Sequence, residues 1–172
     1  MSNSRFLLDA NCFITPCNNY YPFQYVPAYW EALICAHITN SVFTLQEVKE
    51  EVSQKEDSIR DWIGADDFPV SFIKSTDTKS LNKYAEIARW TQVHPKYSSA
   101  EKNKFVTNTT DGFLVAYAHT HKMILVSEEK FISDPNTTKI KIPNLCQQFG
   151  VECINVFEML KRLQVRFILE KH

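Results

Sequence analysis

Glycine is scarce in this chain, with three among 172 residues. That excludes a glycine-rich phosphate cradle, and neither a GxGxxG nor a P-loop pattern occurs. Cysteine is present but unpaired in pattern: five residues, an odd number, with no CxxC, so a disulfide framework is not expected. No apolar run approaches the ~20 residues that a membrane span needs, and no leader pattern opens the chain. A soluble, cytoplasmic protein with no membrane partner is the expectation. The formal net charge of −1 says nothing by itself about nucleic acid.

What is present is enough for one domain over residues 1–172. The 44% of apolar residues can build a sizeable core, and the length is short for two. Charge is unevenly spread. Glu47 to Asp67 holds eight acids and three bases, whereas Lys74 to Lys104 holds seven bases and three acids. Such runs are usually solvated helix faces. An acidic cluster followed by a basic stretch also suits a metal site beside a phosphate-binding surface.

The stretch Arg5 to Asn11 organises the rest. Phe6, Leu7 and Leu8 are long enough for one buried strand, and Asp9 stands where it ends. Ligands of open α/β sheets bind just beyond the carboxyl ends of strands. A solvated capping Asp is the plain alternative. The aromatic run Tyr20 to Tyr25 could stack bases, but packing onto the body of the protein is the favoured reading. Pro27 opens a helix running to Ile38, and Val42 to Leu45 reads as a second strand. Thr44 and Glu47 fit an S/T-x-x-E capping box ahead of a helix from Glu47 to Gln54.

Asp57 to Ile63 continues as helix, Phe68 to Ile73 alternates weakly, and Leu81 to Thr91 is amphipathic. Lys96 to Asn108 reads as a polar, mobile segment. Thr109 to Gly112 opens an apolar helix with Asp111 in its first turn, where negative charge is favoured. Met123 to Val126 and Val151 to Ile154 read as further strands, Ile142 to Phe149 and Val156 to Leu163 as helices, and Val165 to Leu169 as a last short strand. The order is that of a parallel α/β sheet.

Four acidic positions then fall at one sheet edge: Asp9, one of Glu47 and Glu51, Asp111, and one of Glu128 and Glu129. Converging carboxylates raise each other's pKa. Hard divalent cations such as Mg²⁺ or Mn²⁺ relieve this, because they take oxygen ligands. Such a site polarises a phosphodiester and activates water for attack. A haloacid-type phosphatase would want Asp two residues after Asp9, and position 11 is Asn. A zinc or thiol site using Cys12, Cys17 and His37 matches no zinc spacing.

These residues resemble a family. Leu8-Asp9-Ala10-Asn11 is similar to the opening motif of PIN-domain nucleases, and Val48-Lys49-Glu50-Glu51-Val52 to their second acidic motif. Thr110 to Ala116 resembles the third motif and Leu125 to Glu129 the fourth, with Glu where many PIN domains carry Asp. Asn19 to Phe23, Tyr29-Trp30-Glu31 and Lys141 to Cys146 resemble a bacterial PIN-like subfamily formerly labelled a domain of unknown function.

The resemblance implies a three-layer α/β/α sandwich with a central, mostly parallel sheet. It also implies metal-dependent cleavage of single-stranded RNA, in bacteria commonly by the VapC-like toxin of a toxin–antitoxin pair. Asp9, Glu51, Asp111 and Glu129 would hold Mg²⁺ or Mn²⁺ directly or through water, with Asn11 and Ser127 orienting them. The choice of Glu51 agrees with Glu47 being engaged in capping, and alternation after the strand would turn Ser127 and Glu129 the same way. Lys96, Lys102 and Lys104, just ahead of Asp111, are candidates for gripping the RNA backbone. The implied partners are the RNA substrate and a cognate antitoxin, with a homodimer left open. The competing reading is a catalytically weak PIN-like module that binds RNA or protein without cutting.

Overall fold

The computed structural model describes residues 4–55 and 57–168. Its centre is a five-stranded sheet: β1 (Phe6–Leu8), β2 (Val42–Leu45), β3 (Ile73–Lys74), β4 (Ile124–Val126) and β5 (Cys153–Ile154). The spatial order is β3-β2-β1-β4-β5, and every neighbouring pair is parallel. Phe6, Leu7 and Leu8 are all buried, although successive side chains point to opposite faces. Both faces of the sheet are therefore covered, which is why its central strands read as unbroken apolar runs rather than alternating ones.

Nine helices among the described residues supply that cover and complete three layers. After β1 come α1 (Asn11–Thr15), which continues as a wider turn over Pro16–Tyr20, and α2 (Pro27–Ile38). After β2 come α3 (Gln46–Lys55) and α4 (Asp57–Ile63). Between β3 and β4 lie α5 (Thr78–Val93), α6 (Ser99–Thr107) and α7 (Thr110–His121). Then come α8 (Ile142–Phe149) and α9 (Val156–Arg162). Among the described residues no helix is long and apolar enough to cross a membrane.

The aromatic run packs, as its favoured reading had it. Tyr21 stacks on Tyr29 with centroids 4.7 Å apart, and Phe23 stacks on Trp30 at 3.8 Å. Only Tyr20 and Tyr25 of the run's tyrosines stay exposed. The helix from α7 lies so close to its neighbours that a Cβ on Gly112 would meet Tyr84 at 2.5 Å and Phe105 at 2.8 Å. That crowding, and not a special backbone angle, calls for glycine immediately after Asp111.

Three sequence expectations need correction. Lys96 to Asn108 is not simply a mobile polar segment, because Ser99–Thr107 is helical, with Ser98 accepting the Glu101 N–H at 3.2 Å and Phe105 buried. Thr44 does not cap α3. It lies within β2, and its hydroxyl donates to the Leu8 carbonyl at 2.8 Å, tying β2 to the end of β1. No strand forms over residues 165–168, and Leu169 lies outside the described residues.

Candidate functional site

The sheet runs from β1 towards β2 on one side and towards β4 on the other, so the connections diverge between β1 and β4. A crevice opens at such a switch point, beyond the carboxyl ends of the strands. Asp9 follows β1 directly and Ser127 follows β4 directly. The Asp9 N–H donates to the Val126 carbonyl at 3.0 Å, locking the two strand ends together.

Asp9 is only 3% exposed. Its Oδ1 accepts the Ala10 N–H at 2.6 Å, and its Oδ2 accepts the Ser127 hydroxyl at 2.8 Å and the Asn11 amide at 3.3 Å. Asn11 and Ser127 therefore hold this carboxylate in one orientation. Burial lifts the Asp9 pKa to about 6, with the charges of Glu129 and Glu51 adding to the rise and the Ser127 and Ala10 hydrogen bonds opposing it.

Asp111 comes from a different element, the first turn of α7. Its pKa is lifted further, to about 7, first by burial and then by the charges of Asp9, Glu129 and Glu51. The Lys104 ammonium opposes that rise. Four acids from elements far apart in the chain thus feel one another across a single site.

The two glutamates are differently placed. Glu51 forms an ion pair with Lys55 one turn along α3. Glu129 is bound on both oxygens, Oε1 by the Lys141 ammonium at 2.5 Å and Oε2 by the Ile142 N–H at 2.9 Å. Its own N–H donates to the Ser127 hydroxyl oxygen at 3.2 Å. Of their alternatives, Glu47 lines the same cleft as Glu51 and accepts the Thr76 hydroxyl on Oε1 at 2.9 Å, while its Oε2 is buried with no hydrogen bond among the described residues. Glu128 accepts the Val156 N–H at the start of α9 at 2.8 Å. Among the described residues, no three histidine, cysteine or carboxylate side chains are grouped closely enough to hold a metal ion.

The three lysines have different surroundings. Lys104 lines a small cavity of about 20 Å³ together with Asp111, Asn108, Phe105, Glu101 and Ile140. Lys102 lies two residues away on α6 and so faces elsewhere. Lys96 reaches the Asp134 carbonyl at 3.4 Å. A polar cleft of about 410 Å³ runs between α3 and the α6–α7 turn, past Glu51, Gln54, Asn108 and Thr110. Sequence reasoning assigned no role to Lys141 or Lys55. The Lys55 pairing was legible from its i,i+4 spacing to Glu51. No disulfide joins the cysteines among the described residues; the Cys12 Sγ donates to the Val126 carbonyl at 3.0 Å, and the cysteines build no zinc group with His37 among the described residues.

A model of the family described as "Domain of unknown function (DUF4411)" matches residues 6–167. No curated protein sequence matches the chain. Among solved structures, FitAB bound to an IR36 DNA fragment superposes with a TM-score of 0.54 at 19% identity, covering 87% of this chain and 94% of that one. FitAcB from Neisseria gonorrhoeae gives a TM-score of 0.53 at 17% identity, covering 87% and 96%. The shared architecture is the PIN-like α/β fold.

Proposed function

The chain belongs to the family described as a domain of unknown function (DUF4411), and we propose that it is a cytoplasmic, metal-dependent ribonuclease that cleaves single-stranded RNA. One observation carries the reading. Asp9 at the switch point of the sheet and Asp111, more than a hundred residues away in the chain, are both desolvated carboxyls, and the charge of Asp9 adds to the raised pKa of Asp111. Burying like charges together is costly, and functional sites are where such arrangements concentrate.

The donor set suits a hard divalent cation, since every candidate ligand is a carboxylate oxygen. Asp9 and Asp111 would hold Mg²⁺ or Mn²⁺, with Glu51 and Glu129 contributing directly or through water. When bound, such a cation lowers the pKa of water and polarises the phosphodiester. The chain's own residues do the rest. Asn11 and Ser127 fix the Asp9 carboxylate, and Lys104 beside Asp111 offers an ammonium to a backbone phosphate. The cleft past Gln54 and Asn108 gives an unpaired strand a route to the acids.

The resemblance to PIN-domain nucleases further supports a toxin restrained by an antitoxin protein. Expression of the wild type, but not of Asp9→Asn, should then slow bacterial growth and degrade RNA. A second reading has one observation in its favour. Glu51 and Glu129 are each occupied by a lysine, which suits a weakly catalytic module that binds RNA or protein. One assay separates the two: cleavage of mixed short RNAs with Mn²⁺, with EDTA, and with Asp9→Asn. Duplex DNA serves as control substrate, because FitAB is bound to DNA in its solved structure. Cleavage only by the wild type with metal supports the nuclease. Binding without cleavage supports the module.

A further inference from the structure

The two bonds to Glu129 differ in kind. The Ile142 N–H belongs to the first turn of α8, where backbone donors have no partner within the helix. The Oε2 bond is thus an ordinary helix-capping contact. The Oε1 bond is to an ammonium on a flexible four-carbon stem whose side chain is 33% exposed, so it can be surrendered to water. The charges of Asp111 and Glu101 also act on Lys141, so its ammonium stands within electrostatic reach of the acid site. A glutamate has the reach to keep one oxygen on α8 while the other serves the crevice.

We propose that Lys141 is the resident counter-cation of this site, and that Glu129 exchanges it for the divalent cation. The proposal rests on the reading above that the acids bind such a cation. Oε2 stays on the Ile142 amide throughout, while Oε1 passes from the ammonium to the cation. Lys141 is then a positioning residue: it orders Glu129 before the cation arrives and sets the affinity with which it arrives. Once released, its ammonium is free for a phosphate oxygen of the substrate.

The test is a calorimetric Mn²⁺ titration of the full chain as wild type, Lys141→Gln, Glu129→Gln and the double variant, with thermal melts of each. Exposed and half-exposed ion pairs contribute up to about 1 kcal/mol, so removing the competitor should tighten Mn²⁺ binding by roughly threefold to fivefold. That gain should vanish in the Glu129→Gln background, since a pairwise exchange needs both partners. Lys141→Arg, which keeps the charge and grips a carboxylate with two donors, should weaken Mn²⁺ binding. Unchanged or weaker binding in a folded Lys141→Gln overturns the proposal. So does a gain that persists without Glu129, which would be a through-space charge effect. If Lys141→Gln does not fold, Lys141→Arg decides, and unaltered affinity there overturns it. Wild type that binds no Mn²⁺ overturns both this and the proposed function, whereas binding without coupling overturns this alone.

Discussion

Asp111→Asn should stabilise the cation-free protein, and by an amount that depends on pH. The Asp111 carboxyl is raised from its ordinary 3.8 to about 7 in the folded chain. A raised carboxyl pKa means that the folded state holds its proton where the unfolded chain has lost it. No penalty exists below pH 3.8. The penalty grows as pH rises from there and is complete above about 7. At ~1.4 kcal/mol per unit, the penalty is roughly 1.6 kcal/mol at pH 5 and roughly 4 kcal/mol at pH 8. Asn carries no charge and loses no hydrogen bond, because the Asp111 side chain makes none with the described residues.

The gain on substitution should therefore be small at pH 5 and larger by about 2–3 kcal/mol at pH 8. A domain of this size shifts by about 2–4 °C per kcal/mol, so the melting temperature should rise by roughly 10 °C at pH 8. Thermal melts of both proteins in EDTA at pH 5, 6.5 and 8 read this directly. An equal melting temperature at pH 8, or a difference that does not change with pH, would refute the claim that Asp111 sits desolvated among like charges.

Four further outcomes follow from the same geometry. Apparent Mn²⁺ affinity, measured by calorimetry, should rise steeply from pH 5 to pH 8, because protons compete for Asp9 and Asp111 up to about 6 and about 7. Glu129→Gln should weaken Mn²⁺ binding and cleavage, whereas Glu128→Gln, whose amide oxygen can still accept the Val156 N–H, should change stability and cleavage little. Lys104→Ala should lower RNA affinity and flatten its salt dependence more than Lys102→Ala, as measured by fluorescence anisotropy across salt concentrations. Gly112→Ala should destabilise by about 1–3 kcal/mol in denaturant melts, since the added methyl meets two aromatic rings.

The sheet and its polar edge were legible because Phe6 to Leu8, Val42 to Leu45 and the residues before Ser127 are apolar runs that end in polar side chains. Asp9 could be read from its place at the end of β1, since parallel strands must deliver their ends to one edge, whereas the roles of Asn11 and Ser127 came only with the family resemblance. Thr44 and Glu47 show the opposite case. Their spacing is right for a capping box, but β2 claims the threonine and its hydroxyl bonds Leu8, a competitor that local pattern cannot reveal. Ser98 and Glu101 carry the same spacing and do start α6, yet the polarity of the stretch concealed it. The grip of Lys141 on Glu129 spans a loop of irregular backbone, so no periodicity announces it.

The central claim is that Asp9 and Asp111 are two sides of one cation site. The most direct measurement is Mn²⁺ binding to the full chain at pH 7.5, compared among wild type, Asp9→Asn and Asp111→Asn with each variant confirmed folded. The wild type should bind a cation that either substitution weakens by at least tenfold. Affinity left unchanged by both substitutions would mean that the two carboxylates, however close, hold no cation between them.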